Sequence, residues 1–380
     1  MYLCTKSCII KHMETDMKKL CFVNYDMTVT GGVEQVTTSL ANAFCNDYEV
    51  YIYAIFGKGK KVPYDWDKRI IYKAELTEDC RIRKRIMQVF TPFKKFVIEN
   101  KIDIVFLMEN HPALIVSPVR FFTKAKYIFC DHGALMNEWK KKDITLFRFW
   151  DSLISHKVVT LTEQTRLDYI KKFHLNPKKI QSIYNWIPQE VLCARRPYDL
   201  NTKEIITVGR FSEEKGYDML VEVAKKVLPE FPDWTWHLYG NGDTLEKTVN
   251  RVKEFKLDAQ VIFEGNIKNA YQHFHKYAFL VLPSYREGLP LTLLEAKACG
   301  LPMVSFDVTT GPGEIIEDGK DGYLVAPYDL EQMAERMIEL MEDSVRRQRF
   351  SEYTQKNIQK FEKNQIYKQW IELIEELLHD

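Results

Sequence analysis

Residues 278–306 read AFLVLPSYREGLPLTLLEAKACGLPMVSF. The opening run, AFLVLP (278–283), is too continuously apolar for a strand with one face in water. A Gly- and Pro-containing loop follows, then a helical pattern over 291–300 closed by Gly300. A second apolar run, PMVSF (302–306), completes the stretch. Continuous apolar strands joined through a helix indicate a parallel sheet covered on both faces. The same alternation extends outward. Strand-like runs stand at EIITVG (204–209), WTWHLYG (234–240) and QVIFEG (260–265), with amphipathic segments at 216–230, 243–256 and 329–342. Toward the N-terminus they are KLCFVNY (19–25), YEVYIYAIF (48–56), DIVFLM (103–108), YIFCDH (127–132) and KVVTL (157–161), with a helical pattern at 33–46. The alternation starts afresh near residue 200, which predicts an α/β chain with two doubly wound parallel sheets.

The break falls in IPQEVLCARRPYDLNTKE (187–204), which has two prolines, the pair Arg195–Arg196 and no clear periodicity. The expected division is 1–190, 200–362 and a closing helix at 363–380 that packs back on the first domain or caps the second. In that helix Ile366, Trp370, Leu373, Ile374 and Leu377 share one face.

The 380 residues carry 54 basic and 53 acidic side chains, and 46% hydrophobic and 28% charged residues are ordinary globular values. Disordered, fibrous and low-complexity classes are excluded, and the net charge of +1 gives no whole-chain case for nucleic acid. The total conceals a split: residues 1–200 hold 32 basic against 22 acidic residues, and residues 201–380 hold 22 against 31. Two domains with different partners fit that asymmetry. The eight cysteines (Cys4, Cys8, Cys21, Cys45, Cys80, Cys130, Cys193, Cys299) show no Cys-x-x-Cys pair, so reduced thiols are expected. No run is long enough to span a bilayer or to form a signal peptide. The expectations are a poorly ordered extension over residues 1–17, or a translation start at Met17, and a cytoplasmic location.

Polar residues at strand ends carry the chemistry, because ligands of open α/β sheets bind at the carboxyl ends of strands, against helix N-termini. Thr30-Gly31-Gly32-Val33-Glu34 allows close backbone approach, or is a plain tight turn; it lacks the further spaced glycine of a dinucleotide site. Val208-Gly209-Arg210-Phe211-Ser212-Glu213-Glu214-Lys215-Gly216 places a guanidinium and an ammonium in one loop, suited to a diphosphate. The bland alternative pairs Lys215 with Glu213 or Glu214. Glu287, in the loop after AFLVLP, and Glu295, about a turn inside the next helix, flank amides near Leu291 and Thr292. An anion on those amides would leave a carboxylate for hydroxyls on either side. Two carboxylates also suit a metal or acid/base pair, but no His or Asp completes a metal set here. His132, in Cys130-Asp131-His132-Gly133, ends a first-half strand and is either a cleft residue or a structural histidine.

Taken together these residues resemble the retaining glycosyltransferases of family 4, bacterial surface-polysaccharide type. REGLPLTLLEAKACGLPMV carries the two glutamates at the family's spacing. VGRFSEEKGYDMLVEVAKKV, LYGNGD and TGPGEIIEDGKDGYLVAPYD extend the likeness over most of residues 204–342, whereas the first half contributes only GGVEQV and His132. The resemblance implies the GT-B architecture, two Rossmann-like domains facing a cleft, with the acceptor on the first and the nucleotide-sugar on the second. It implies that Arg210 and Lys215 neutralise the donor diphosphate, Glu295 holds the ribose and Glu287 contacts the transferred sugar, with Gly288 in the donor site. Amides of Leu291 and Thr292 would hold phosphate, and Gly32 would approach the diphosphate. His132 would sit beside the reacting centre, Asn266 and Ile267 beside the base, and Gly240 near the nucleoside. No metal or other cofactor is expected.

The implied activity moves a hexose or N-acetylhexosamine from a nucleotide-sugar, a UDP-sugar by preference, to a saccharide or lipid-linked acceptor. A sugar-nucleotide epimerase or hydrolase of the same fold and a noncatalytic nucleotide-sugar binder are the alternatives. No nucleic-acid motif is present. RIRKRIMQVFTPFKKF (81–96) and EWKKKDITLFRFW (138–150) are basic and aromatic, and read either as ordinary surface helices or as peripheral contacts with an anionic membrane on its cytoplasmic side.

Overall fold

The computed structural model describes residues 17–77 and 82–379. The expectations for residues 1–16, Cys80 and Arg81, and for the side chains of Arg83, Lys84 and Arg85, lie outside the described residues.

The first sheet contains β1 (Lys19–Asp26), β2 (Glu49–Phe56), β3 (Ile71–Ala74), β4 (Ile104–Leu107), β5 (Lys126–Asp131), β6 (Lys157–Thr160) and β7 (Ile180–Ser182), in the order β3-β2-β1-β4-β5-β6-β7. The second contains β8 (Glu204–Val208), β9 (Thr235–Tyr239), β10 (Val261–Gly265), β11 (Phe279–Leu282), β12 (Met303–Phe306) and β13 (Gly322–Val325), in the order β10-β9-β8-β11-β12-β13. Paired strands run parallel, with Phe22 opposite both Ile52 and Phe106, and Leu280 opposite both Ile206 and Met303. Between the strands lie α1 (Gly32–Phe44), α2 (Ile82–Glu99), α3 (Asn110–Val116), α4 (Lys142–Ile154), α5 (Glu163–Phe173), α6 (Gln189–Leu192), α7 (Tyr217–Val227), α8 (Leu245–Glu254), α9 (Leu291–Cys299) and α10 (Pro312–Ile315). The chain closes with α11 (Leu330–Glu342), α12 (Ser344–Tyr353) and α13 (Lys363–His379).

Strand order reverses between β1 and β4 and again between β8 and β11, the switch points at which an open parallel sheet leaves a crevice for a ligand. The predicted strands recur within a residue or so at each end. Three strands, β3, β7 and β13, were not predicted. They are three or four residues long and stand at or next to the ends of the sheets. The stretch 187–204, expected to be an unperiodic linker, contains α6 and is tied down. Arg195 donates to Thr354 Oγ1 and to the Ser351 carbonyl, both at 3.1 Å.

Contact density divides the chain into two units: residues through Leu107 with Ile115–Tyr127, and Met108–Leu114 with Ile128 onward. In the first, Phe44 of α1 stacks on Phe22 of β1 and Phe106 of β4, with Phe22 and Phe106 centroids 4.7 Å apart. In the second, one face of the second sheet packs Trp236 and Phe279 against Leu220 of α7 and Met337 of α11. The other face packs Ile206 and Leu280 against Leu293 and Ala298 of α9. The five apolar residues predicted for the face of α13 are all buried, and Glu376 pairs with Lys157 of β6 at 2.5 Å. Among the described residues no helix is long and apolar enough to cross a membrane.

Candidate functional site

The β8/β11 switch point gathers most of the predicted groups. After β8 the chain turns through Gly209 and Arg210, and this turn is pinned from β9. Gly209 N–H donates to the Tyr239 carbonyl and Phe211 N–H to that of Asn241, both at 3.0 Å. Gly240 and Gly242 are required there, because a Cβ on Gly240 would lie 1.9 Å from the Gly209 carbonyl oxygen and one on Gly242 2.3 Å from that of Phe211. Gly240 therefore supports the Arg210 loop. Arg210 itself is exposed at the carboxyl end of β8.

The loop after β8 lies against the loop after β11. Gly216 adopts φ +68°, and a Cβ there would stand 2.0 Å from the Pro283 carbonyl oxygen. Tyr285 N–H donates to the Glu214 carbonyl at 2.8 Å. Across this seam Lys215 Nζ meets Glu287 Oε1 at 2.7 Å, and Ser284 Oγ donates to the same oxygen at 2.6 Å. Proximity in sequence suggested Glu213 or Glu214 as partner for Lys215; the fold instead supplies a carboxylate 72 positions away. Glu287 is buried, at 7% exposed, and Lys215 reaches it from the half-exposed side.

Gly288 follows, and then α9 opens at Leu291 and Thr292. Its N-cap is Pro290, which brings no side-chain acceptor, and the first amides of a helix have no intrahelical partner. The helix N-terminus and its dipole thus present donors beside the Lys215–Glu287 pair. Glu295 sits in the second turn. Although part of its side chain reaches solvent, burial pushes its carboxyl up to about 7.

The carbonyl of Glu287 accepts from Thr310 Oγ1 at 2.7 Å and from Asn137 Nδ2 at 2.9 Å. Asn137 belongs to the loop that carries His132. A Cβ on Gly288 would lie 2.6 Å from the His132 carbonyl oxygen, so these two backbones touch. His132 Nε2 is buried without a hydrogen-bond partner. Burial lowers the imidazole to about 4 against the pull of Asp131, so it is neutral at physiological pH.

Arg210, Lys215, Glu287, Gly288, Leu291, Thr292 and Glu295 therefore cluster at one switch point, with His132 reaching Gly288 through its backbone. Asn266 and Ile267 follow β10, two strands from β8; Asn266 is exposed, and Ile267 packs on the same apolar cluster as Leu291 and Tyr239. Gly32 is exposed as the first residue of α1, at the β1/β4 switch point of the other sheet. Its N-cap, Gly31, makes no side-chain cap, and the Glu34 carboxylate curls back over that turn. Ser284, Thr310 and Asn137 were not predicted as site residues. Ser284 and Thr310 stand inside motifs quoted above, whereas nothing in the sequence around Asn137 signals its contact. Among the described residues no group of three or more His, Cys, Asp or Glu side chains could hold a metal ion.

Such an array has the chemistry to take an anion between cations and helix amides, and to offer carboxylates and a neutral imidazole to hydroxyl groups. Comparison with known proteins places the chain in a family. Residues 30–191 match the family described as Glycosyltransferase Family 4, and residues 194–357 match Glycosyl transferases group 1. The chain is 24% identical over 369 residues to the amylovoran biosynthesis glycosyltransferase AmsD of Erwinia amylovora, covering 94% of this chain and 100% of that protein. It is 24% identical over 362 residues to an N-acetylgalactosamine-N,N'-diacetylbacillosaminyl-diphospho-undecaprenol 4-alpha-N-acetylgalactosaminyltransferase of Campylobacter jejuni, covering 92% and 97%. Among solved structures, a point mutant of S. aureus TarM, in complex with Fondaparinux, alpha-GlcNAc-glycerol and UDP, superposes with a TM-score of 0.76. It shares 17% identity, with 96% of this chain and 100% of that one covered.

Proposed function

The chain belongs to the family 4 type of GT-B glycosyltransferases, and from that premise we propose that it is a retaining, metal-independent transferase using a UDP-sugar. The sugar moved is a hexose or N-acetylhexosamine, and the acceptor is a lipid-linked saccharide of surface-polysaccharide assembly. The observation that carries this reading is the Lys215–Glu287 pair at the β8/β11 switch point, beside the N-terminus of α9.

Cleaving a sugar–phosphate bond builds negative charge on the departing diphosphate. The amides of Leu291 and Thr292 are fixed before reaction, and with Arg210 and Lys215 they stabilise that charge most where it is largest, in the transition state. When phosphate engages Lys215, the Glu287 carboxylate is released toward sugar hydroxyls while Ser284 still holds it. Glu295 accepts from the ribose hydroxyls. His132, neutral and with Nε2 unengaged, takes or gives a hydrogen bond at the sugar. Retention places the acceptor on the face from which the diphosphate leaves. UDP in the TarM complex and the diphospho-undecaprenol named for the Campylobacter enzyme support the choices of nucleotide and acceptor.

Peripheral membrane contact at the cytoplasmic face belongs to the same proposal. In α2, Val89, Phe93 and Phe96 are core residues, which removes most of that helix's expected apolar face. In α4, Leu146, Trp150 and Leu153 form an exposed stripe that follows Lys140, Lys141 and Lys142. This second segment is the better candidate for an anionic surface. Calorimetric titration with UDP, GDP and ADP tests the proposal: UDP binds most tightly, and binding by none of the three sinks it.

A further inference from the structure

Arg148 is among the largest fully buried side chains and has no part in the chemistry above. It projects inward from α4 into the turn that follows β5. Its Nε lies 3.0 Å from Asp131 Oδ2, with both side chains 2% exposed, and its Nη2 lies 3.1 Å from Glu138 Oε2. Nη2 also donates to Asp131 Oδ1 at 3.3 Å, and Nη1 to the Ala134 carbonyl at 3.4 Å. Asp131 is held from two further directions, by Gly133 N–H at 3.0 Å and by the Tyr169 hydroxyl at 2.7 Å. Residues 131–138 thus wrap one guanidinium. The wrap is close enough that a Cβ on Gly133 would lie 2.4 Å from Nη2.

Stability alone is a poor reason for such a cluster, since buried ion pairs often contribute no more than well-packed apolar residues of the same volume. A guanidinium differs from an apolar filler, and from lysine, in fixing several acceptors at set angles. The loop it fixes carries His132 and sends Asn137 to the Glu287 carbonyl, and the His132 carbonyl abuts Gly288. We propose that Arg148 is a positioning residue of the transfer reaction: by clamping residues 131–138 it sets both the His132 imidazole and the backbone of Glu287 against the donor sugar. The inference rests on the glycosyltransferase reading above. Misplacing reacting groups by about 1 Å costs on the order of a hundredfold in rate, so the clamp acts on turnover more than on nucleotide affinity.

Arg148→Met alone leaves Asp131 buried and unpaired and can fail to fold. The test therefore uses the charge-neutral pair Asp131→Asn/Arg148→Met, together with Arg148→Lys and Asn137→Ala, whose side chain lies outside the ion cluster. Melting temperature, UDP affinity, and kcat and KM for donor are measured for each. The expected result is near-native melting and UDP affinity within about threefold for the neutral pair, with kcat lowered on the order of thirty- to a hundredfold. Asn137→Ala lowers kcat several-fold at unchanged melting, and Arg148→Lys does not restore the rate. A neutral pair that melts and turns over like wild type overturns the proposal. If that pair does not fold, unchanged kcat in Asn137→Ala overturns it. Failure of the glycosyltransferase reading is separate and visible in the wild type: no UDP binding and no donor turnover, which removes this inference with it.

Discussion

Glu295 lies in the second turn of α9 with its carboxyl held near pH 7 by burial. Its effect reaches Tyr271 and Cys299, whose own ionisations are pushed upward, first by burial, so both stay neutral at working pH. The perturbation to make is Glu295→Gln, which removes the titration and nearly keeps the shape. The folded protein binds the Glu295 proton more tightly than the unfolded chain, where the ordinary value is 4.5. Below that value both states are protonated and the site carries no penalty. As pH rises toward 7 the unfolded chain ionises first, so wild-type stability falls, and it levels off above 7. A shift from 4.5 to about 7 corresponds to at most about 3–4 kcal/mol, and solvent access to the side chain reduces this to about 2 kcal/mol. For a domain of this size that is roughly 4–8 °C in melting temperature. Scanning calorimetry of wild type and Glu295→Gln at pH 5 and pH 8 reads it directly. The variant gains several degrees on wild type at pH 8 and much less at pH 5. An equal difference at the two pH values refutes the burial argument. UDP binding adds a second sign: hydroxyls donating to Glu295 favour its ionised form, so binding to wild type releases a proton near pH 6, and binding to the variant releases less.

Lys215→Met leaves Glu287 with Ser284 but no cation; because Lys215 is partly exposed it costs about 1–3 kcal/mol of stability, read by urea titration, and kcat falls on the order of a hundredfold or more. The pair Arg210→Ala/Lys215→Ala loses more turnover than Glu295→Ala, and wild-type activity in that pair shows the phosphate assignment to be wrong. Lys297→Met breaks a fully buried ion pair with Asp321, and the ammonium also donates to the Ile315 carbonyl at 3.0 Å. A loss of about 3–5 kcal/mol is expected in denaturant titration, largely recovered when Asp321 is made apolar as well. On vesicles rich in anionic lipid, flotation of the wild type is lost when Leu146, Trp150 and Leu153 are replaced by serine; unchanged flotation returns α4 to an ordinary surface helix.

Much of the fold was legible because strands β1, β2, β4, β5, β8, β11 and β12 are buried along most of their length and so appear as continuous apolar runs. β3 and β7 escaped because Ile71-Tyr72-Lys73-Ala74 and Ile180-Gln181-Ser182 are only partly buried, and so carry no apolar run. The site divides on the same physical ground. Glu287, Glu295, Arg210 and Lys215 stand at strand ends or in a helix's first turns, where sequence position implies exposure to a ligand. What joins Lys215 to Glu287 is the adjacency of β8 and β11, a property of strand order that no local pattern carries. Asn137 and Thr310 act through the carbonyl of Glu287, which leaves no trace in residue type. Arg148 stood inside a run whose basic and aromatic character suggested a surface; its burial depends on which face of α4 turns inward. Val89, Phe93 and Phe96 of α2 show the converse, an apolar face taken up by the core.

The most direct measurement is a donor screen read by mass spectrometry and product NMR. The intact chain is incubated with UDP-sugars and a pool of lipid-linked saccharides in the presence of a metal chelator. The expected result is an acceptor extended by one hexose or N-acetylhexosamine, joined with the anomeric configuration it had in the donor. Inverted product, turnover only when a divalent metal is supplied, or donor consumed without any extended acceptor contradicts the proposed reaction.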